Sequence, residues 1–504
     1  LPQTRKASVS EQDAYKWKAF GVIALALFTT VMDFSGTGIA LPSIADDFAL
    51  RLGVVSWVTI VASLTIVAFL LPMGRVADIA GRKAVHLTGL TFFVAGALVA
   101  AMSVNLPMLI AARVVMAIGL AMGQGVMTAM IVSIFPPRER GRGLGFLTAV
   151  VGSGSIVGPI AAGFLVDAFG WRAVFMFFSI PAVIALLLAV AVLDDARVGS
   201  TRRRTGEPYD WPGAVVSAAA LVLVIFTINN PLGVSWTGWP VIGGGVVSAA
   251  LFAAFIWWEL RVRSPMINLR FFRSSRFSWS CSARYLGFAG NSAVFFLMPF
   301  YLQDVQGYGP KTVGFVIFAG ALGMSATGML SGFLSDRFGF RIFTFAGLGL
   351  AIAAGLAFAS FGPASPLYVI VPTLLVNGIG MGLWMAPNMS ATLGAVERSD
   401  YGIVGAFLNL VRNAGTVTGV AVTTAIITGI MMSRGFTGDL GEIGEAGGAG
   451  VAGAFMVGMR VAFLVLVCFS AVALFAAIMA REEPRPRREA ADESAAGAAR
   501  GDAT

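Results

Sequence analysis

The stretch GRVADIAGRK, Gly74 to Lys83, returns 258 residues later as GFLSDRFGFR, Gly332 to Arg341. Each copy is a short polar joint between two long apolar runs. Around them, Gly119, Gly141, Gly154 and Gly158 are matched by Gly380, Gly402, Gly415 and Gly419 at a constant offset of 261. Several glycines held in register across two apolar segments mark a duplicated unit. The chain therefore reads as two homologous halves of six helices, with a further helix pair between Trp211 and Leu260 inserted between them. Two-fold repeats of this kind place a binding site at the interface of the halves, near the middle of a bilayer.

The bilayer follows from composition. Of 504 residues, 57% are hydrophobic and 12% charged, and the mean hydropathy is +0.83; an ordinary soluble domain is about 25% charged. Apolar runs of about 20 residues recur along the chain, the length a helix needs to cross the hydrocarbon core. A β-barrel would show alternation instead. Spans are expected near 18–42, 52–73, 84–104, 107–135, 142–168 and 172–193, then 212–229 and 240–259, then 277–303, 312–335, 341–361, 367–393, 401–432 and 453–480, about fourteen in all. The organisation expected is a tail over 1–17, a six-helix bundle over 18–193, a linker over 194–210, the inserted pair over 211–260, a basic loop over 261–276, a second bundle over 277–480 and a disordered tail over 481–504. Cys281 and Cys468 lie far apart inside apolar runs, so they imply neither a disulfide framework nor a metal cluster.

The formal charge of +9 suggests nucleic acid only until its placement is examined. About 27 of the 35 Lys and Arg fall in one alternating set of loops and tails, and about 4 in the other. That bias places both termini in the cytoplasm, and an even number of spans agrees. The basic charge then faces anionic lipid, and no nucleic-acid partner is expected. The polar first twenty residues run into a span too long for a cleavable signal. The expected location is the inner (cell) membrane.

These residues resemble the major facilitator superfamily, and within it the fourteen-span drug:proton antiporter branch. GRVADIAGRK is similar to the superfamily's cytoplasmic loop signature, with Gly74, Asp78, Gly81, Arg82 and Lys83 in place. MDFSGTGIALPSI is similar to the branch's first-span signature, keeping Asp33, Ala40, Leu41 and Pro42 and replacing an asparagine by Gly38. PMINLRFFRS, PFYLQDVQGYGP, GMGLWMAP and LVRNAGTVTGVAV extend the likeness, which covers nearly all of Ala19 to Ala480. GSGSIVGPIAAG, Gly152 to Gly163, resembles the antiporter motif of the fifth span through Gly145, Gly154, Gly158, Pro159 and Gly163, with Ala162 where a glycine is usual. Glycines four apart let helix backbones approach, and an interior proline bends its helix, so the motif reads as a tight seam. Close helix packing alone is the plainer explanation. The resemblance implies an all-α fold of two six-helix bundles plus two inserted helices. It also implies a conformational latch at Gly74, Asp78, Gly81, Arg82, Lys83, Asp336 and Arg337, bonding across the halves in one state and releasing in the other.

Ionisable residues inside a membrane span are functional hypotheses by default. Asp33 is the acid lying well inside an apolar run, whereas Asp167, Glu259 and Asp304 fall at span ends. At 1.5 Å per residue, Asp33 lies about 13 Å below Pro42 and Arg113 about 9 Å below Pro107, from the same face. The two are thus able to meet, as a proton-coupling pair or as a fixed structural one. Arg113 occupies the arginine of the superfamily's fourth-span signature, but Met116 and Ala117 replace the glutamine and glycine that usually follow. His86, the sole histidine, is expected at the interface. Arg284 and Arg460 are expected to snorkel, leaving Arg412 deep, with Asn409 and Asn413 beside it. The expected cavity wall is soft and apolar: Met116, Met122, Phe288, Asn291, Phe295, Trp384 and Met385, with Asn409 and Arg412.

The function this implies is proton-coupled export of hydrophobic or cationic drugs by alternating access, with no cofactor beyond the proton gradient and no metal. The alternative keeps the fold and makes the cargo a lipid or lipid-like amphiphile. A membrane-embedded transferase is disfavoured by the single histidine and the lack of a clustered acid pair. The expected partners are protons, membrane lipid and a small hydrophobic or amphiphilic substrate, and the expected state is monomeric.

Overall fold

The computed structural model describes residues 9–136, 139–198, 210–229, 238–262, 269–397, 401–436 and 448–480. The two tails, the linker over 199–209 and residues 263–268 of the basic loop lie outside them. Among the described residues fourteen helices are long and apolar enough to cross a membrane, and no strand occurs. The first half comprises α1 (Val9–Asp47), the short α2 (Leu52–Val55), α3 (Trp57–Ala80), α4 (Arg82–Ala101), α5 (Leu106–Ile134), α6 (Arg140–Phe169) and α7 (Arg172–Val192). The inserted pair is α8 (Trp211–Asn229) and α9 (Trp239–Glu259). The second half comprises α10 (Ser275–Phe300), α11 (Pro310–Phe338), α12 (Phe340–Ala359), α13 (Leu367–Leu393), α14 (Tyr401–Ser433) and α15 (Gly448–Met479).

Local chemistry sets several of the boundaries. The Asn105 side chain accepts the Met108 N–H at 2.9 Å and a proline follows in the first turn, which starts α5. The repeated joint has a backbone reason. Gly81 between α3 and α4 has φ 99°, and Gly339 between α11 and α12 has φ 83°. Side chains disfavour that region, so glycine allows one helix to end and the next to begin within a residue.

The two halves repeat their packing as well as their sequence. A Cβ on Gly89 of α4 would stand 2.8 Å from the Gly119 carbonyl of α5; one on Gly380 of α13 would stand 2.7 Å from the Gly347 carbonyl of α12. Gly154 and Gly158 of α6 press on the Phe28 and Met32 carbonyls of α1, while Gly415 and Gly419 of α14 press on the Tyr285 and Ala289 carbonyls of α10. Both pairs of carbonyls are related by an offset of 257. Backbones this close are what small residues permit in a bilayer, where apolar burial drives helix association only weakly.

The helix ends that carry the basic loops will be called the basic end, and the others the far end. At the far end one apolar cluster runs through both halves, joining Ile39, Leu41, Val58 and Val166 to Leu297, Phe300, Val313 and Ile427. At the basic end the cores are separate. Phe20, Met130, Ile131 and Leu193 belong to the first half, whereas Phe288, Leu348, Trp384 and Ala476 belong to the second. The apolar cores are therefore fused at the far end and separate at the basic end, where α5 still meets α14 at Thr128 and Gly405. Between halves, α6 packs along α11 and, on the opposite side, α3 along α14. α8 lies on α3 and α14 together, and α9 lies on α8. The inserted pair thus covers one seam from the lipid side, with Trp258 donating to Asp210 Oδ1 at 2.7 Å.

Candidate functional site

Four helices, α1 and α3 from one half and α10 and α14 from the other, enclose a cavity between the halves. Phe34, Gly38, Leu41, Ile60, Phe295, Phe296, Val417 and Val420 make it apolar, and Thr59, Ser63, Ser292 and Thr416 supply hydroxyls. No acid lines it. It encloses about 430 Å³ with its mouths included, and its interior has room for only a few waters. A drug-sized molecule needs the halves to part further. At the far end the cavity is closed by Gln303, whose Nε2 donates to the Ile39 carbonyl at 3.1 Å. Toward the basic end it is bridged by Gln124 of α5, whose Oε1 accepts from Arg412 Nη2 at 3.3 Å and Asn413 Nδ2 at 3.4 Å.

Directly behind the wall sit Asp33 and Arg113. Arg113 Nη1 lies 3.0 Å from both Asp33 carboxylate oxygens, and the two side chains are 3% and 1% exposed. Thr37 Oγ1 donates to Asp33 Oδ1 at 3.5 Å, and Arg113 Nε donates to the Val58 carbonyl at 3.3 Å. The Arg113 guanidinium also lies 5.7 Å from the Phe175 ring centroid. The pair thus ties α1, α5 and α3 together within the first half. Asp33 and Thr37 point into the bundle, whereas Phe34, Gly38 and Leu41 on the adjoining face of α1 point into the cavity. The second half has no equivalent. By the 257 and 261 offsets the matching positions are Gly290, against Leu466 and Ser470 of α15, and the buried Leu374. The duplication has diverged here, leaving one half with a charge pair and the other without.

The antiporter-like motif serves two faces. Gly154 and Gly158 press on α1, inside the first half. Gly163 presses on α11, where its Cβ would lie 2.7 Å from the Pro310 carbonyl, and a Cβ on Gly314 would lie 2.6 Å from the Pro159 carbonyl. Gly152 faces Ser325 of α11. One helix therefore forms both an internal seam and the seam between halves. The side-chain surroundings of Gly145 lie outside the described residues.

Of the latch set, Arg82 Nη1 donates to the Ser133 hydroxyl at 2.6 Å and to the Ala129 and Val198 carbonyls at 3.2 and 3.3 Å. Lys83 Nζ donates to the Val190 carbonyl at 3.5 Å. These bonds all stay within the first half. Gly74 packs on Gly125 of α5. The side chains of Asp78, Asp336 and Arg337 lie outside the described residues.

The expected cavity wall is corrected for this state: Phe295 alone among its members lines the cavity between the halves. Met116 is wedged against Gly96, and Met122 lies at Gly89, both in the core of the first half. Phe288, Trp384 and Met385 pack together in the second core. Asn291 is buried on α10, while Asn409 and Arg412 sit on α14 at the basic-end mouth. Two further expectations change. His86 is fully buried rather than interfacial, because the first turn of α4 faces α1 and α5. Arg284 is 3% exposed rather than snorkelling, because its side chain turns toward α14. Gln124, the polar bridge between halves, gives no local sequence signal: it is a lone amide in a glycine-rich run.

The chain belongs to the Major Facilitator Superfamily, whose family model matches residues 23–420. It is 27% identical to the riboflavin transporter RibZ of Clostridioides difficile, over 81% of this chain and 87% of that protein. It is 26% identical to the multidrug resistance protein Stp of Mycobacterium tuberculosis, over 80% of this chain and 74% of that protein. The fold matches the crystal structure of a bacterial homologue of the human lysosomal transporter Spinster, inward-facing and unoccupied. The TM-score there is 0.65 at 17% identity, covering 95% of this chain and all of that one.

Proposed function

We propose that this transporter-family member is a proton-coupled exporter that moves hydrophobic, drug-like molecules out of the cytoplasm by alternating access. It moves its cargo without converting it, and the proton gradient is its energy source. It resides in the inner membrane with the basic end and both termini in the cytoplasm, so the state described above is closed outward. The observation that carries the reading is the buried Asp33–Arg113 pair one residue behind an apolar cavity between two rocking halves. Protonation of Asp33 weakens its hold on Arg113, and with it the packing of α1, the helix that carries the cavity wall. Cationic drugs are the weaker match, since no acid lines the cavity. The multidrug resistance relative fits this cargo class. A lipid-like amphiphile is the second reading, favoured by Arg412 at the basic-end mouth.

The test uses purified protein in vesicles loaded with the neutral dye Nile red and given an inside-to-outside pH gradient. Efflux several-fold above protein-free vesicles, collapsed by a protonophore, is expected. Fluorescent phospholipid placed in one leaflet tests the second reading in the same vesicles. Dye efflux indifferent to the gradient would remove proton coupling.

A further inference from the structure

The second half holds two cations at the basic end with no acid in ion-pairing reach among the described residues. Arg284 of α10 donates through Nε to the Leu408 carbonyl of α14 at 3.0 Å, while its Nη1 is buried without a partner. Arg412 stands one turn beyond Leu408 on α14, next along the helix from the carbonyl that Arg284 holds. Arg412 itself donates to a neutral partner, the Gln124 amide oxygen. A lone buried ion costs several kcal/mol, and two of one sign add repulsion. Neutral carbonyl, amide and ring contacts offset these costs in part, and no carboxylate among the described residues supplies the rest.

The surroundings hold further unpaired polar groups. Asn291, on the same face of α10 as Arg284 and Phe288, has both side-chain polar atoms buried and unpartnered. The Trp384 indole N–H is buried and unpartnered as well, its ring 5.2 Å from that of Phe288. Phe288 in turn lies 5.3 Å from the Arg284 guanidinium. The missing element is a negatively charged oxygen group, which guanidinium forks bind strongly. A cation would be repelled, and a neutral molecule would leave the charge uncompensated. The site also has a route to the cargo path: Thr416, one turn from Arg412, lines the cavity between the halves.

We infer that Arg284 and Arg412 bind the acidic group of the transported molecule, an amphiphilic organic acid whose apolar body lies along the cavity wall. This rests on the exporter reading above and narrows its cargo. The same chemistry serves a free carboxylate or sulfonate and a lipid phosphate headgroup.

The test is equilibrium binding of radiolabelled dodecanoate to the full chain in phosphatidylcholine nanodiscs, with dodecanol and dodecylammonium as competitors. Arg412→Gln is expected to weaken dodecanoate binding roughly tenfold or more, the loss of a charge-assisted bond. Arg412→Lys should retain part of the affinity. Dodecanol and dodecylammonium should displace poorly. Arg284 is deeply buried, so Arg284→Lys is tested only after its thermal melt matches the parent's. Replacing phosphatidylcholine with phosphatidylglycerol lowers parent affinity if a lipid headgroup is the natural occupant, and leaves it unchanged if a free acid is; both uphold the site. Equal binding of dodecanol and dodecanoate, or unchanged dodecanoate affinity in Arg412→Gln, overturns it. Nile red efflux that persists under those results confines the failure to this inference and leaves the exporter reading standing.

Discussion

Replacing Asp33 by asparagine is expected to abolish gradient-driven efflux of Nile red and to lower stability by about 3–5 kcal/mol, the cost of stranding one partner of a buried ion pair. The stranded partner here is Arg113, 3% exposed, which would be left with its bond to the Val58 carbonyl. Arg113→Leu should cost less. A carboxyl left alone in an apolar site neutralises by taking up a proton, whereas a guanidinium cannot shed one. The double variant Asp33→Asn/Arg113→Leu separates the two roles open to the pair. Removing both charges together is often near neutral for stability, so its thermal melt should recover toward the parent. Its gradient-driven efflux should stay absent, because no titrating group remains. Recovery of both melt and efflux would make the pair a structural tie and nothing more.

The second large effect lies at Gly158. A side chain there would meet the Ser35 hydroxyl and stand 2.8 Å from the Met32 carbonyl, so α1 and α6 must separate. Overpacking costs about 1–3 kcal/mol where side chains can yield, and more where backbone must move. Gly158→Leu should therefore fail to yield folded protein in detergent, as judged by gel filtration and melting. Gly163→Leu gives the informative contrast. Its clash is with Pro310 and Gly314 of α11, in the other half. It should leave each bundle folded while forcing the far end apart, so melting changes little and transport is lost. If both variants behave alike, the division of the motif into an internal seam and a seam between halves is wrong.

The fold was legible because it is written in features that bilayers enforce. Apolar runs of spanning length and glycines in register both leave unambiguous marks, and the pairs Gly119/Gly380, Gly154/Gly415 and Gly158/Gly419 are close backbone contacts in the structure. The Asp33–Arg113 encounter was legible for a simpler reason: two helices starting at the same face carry residues to depths set by 1.5 Å per residue. The cavity wall was not. On helices that are apolar all round, faces toward lipid, core and cavity carry the same residue types, so Met116 and Trp384 could not be told from Phe295. Arg284 misled because depth along α10 does not reveal direction, and its side chain turns inward to Leu408. His86 was obscured likewise, since the first turn of a helix can face either headgroups or a neighbouring helix.

The central claim is that the halves rock about the cavity between them, parting and closing their far-end core, under control of Asp33. Spin labels at Met102 and Tyr368, exposed at the far ends of α4 and α13, would report that motion as a distance in nanodiscs, on a background without Cys281 and Cys468. Two populations are expected, the longer growing as pH falls, and Asp33→Asn should hold one distribution at every pH. A single pH-independent distance in the parent, or the same pH response in parent and Asp33→Asn, would contradict the account.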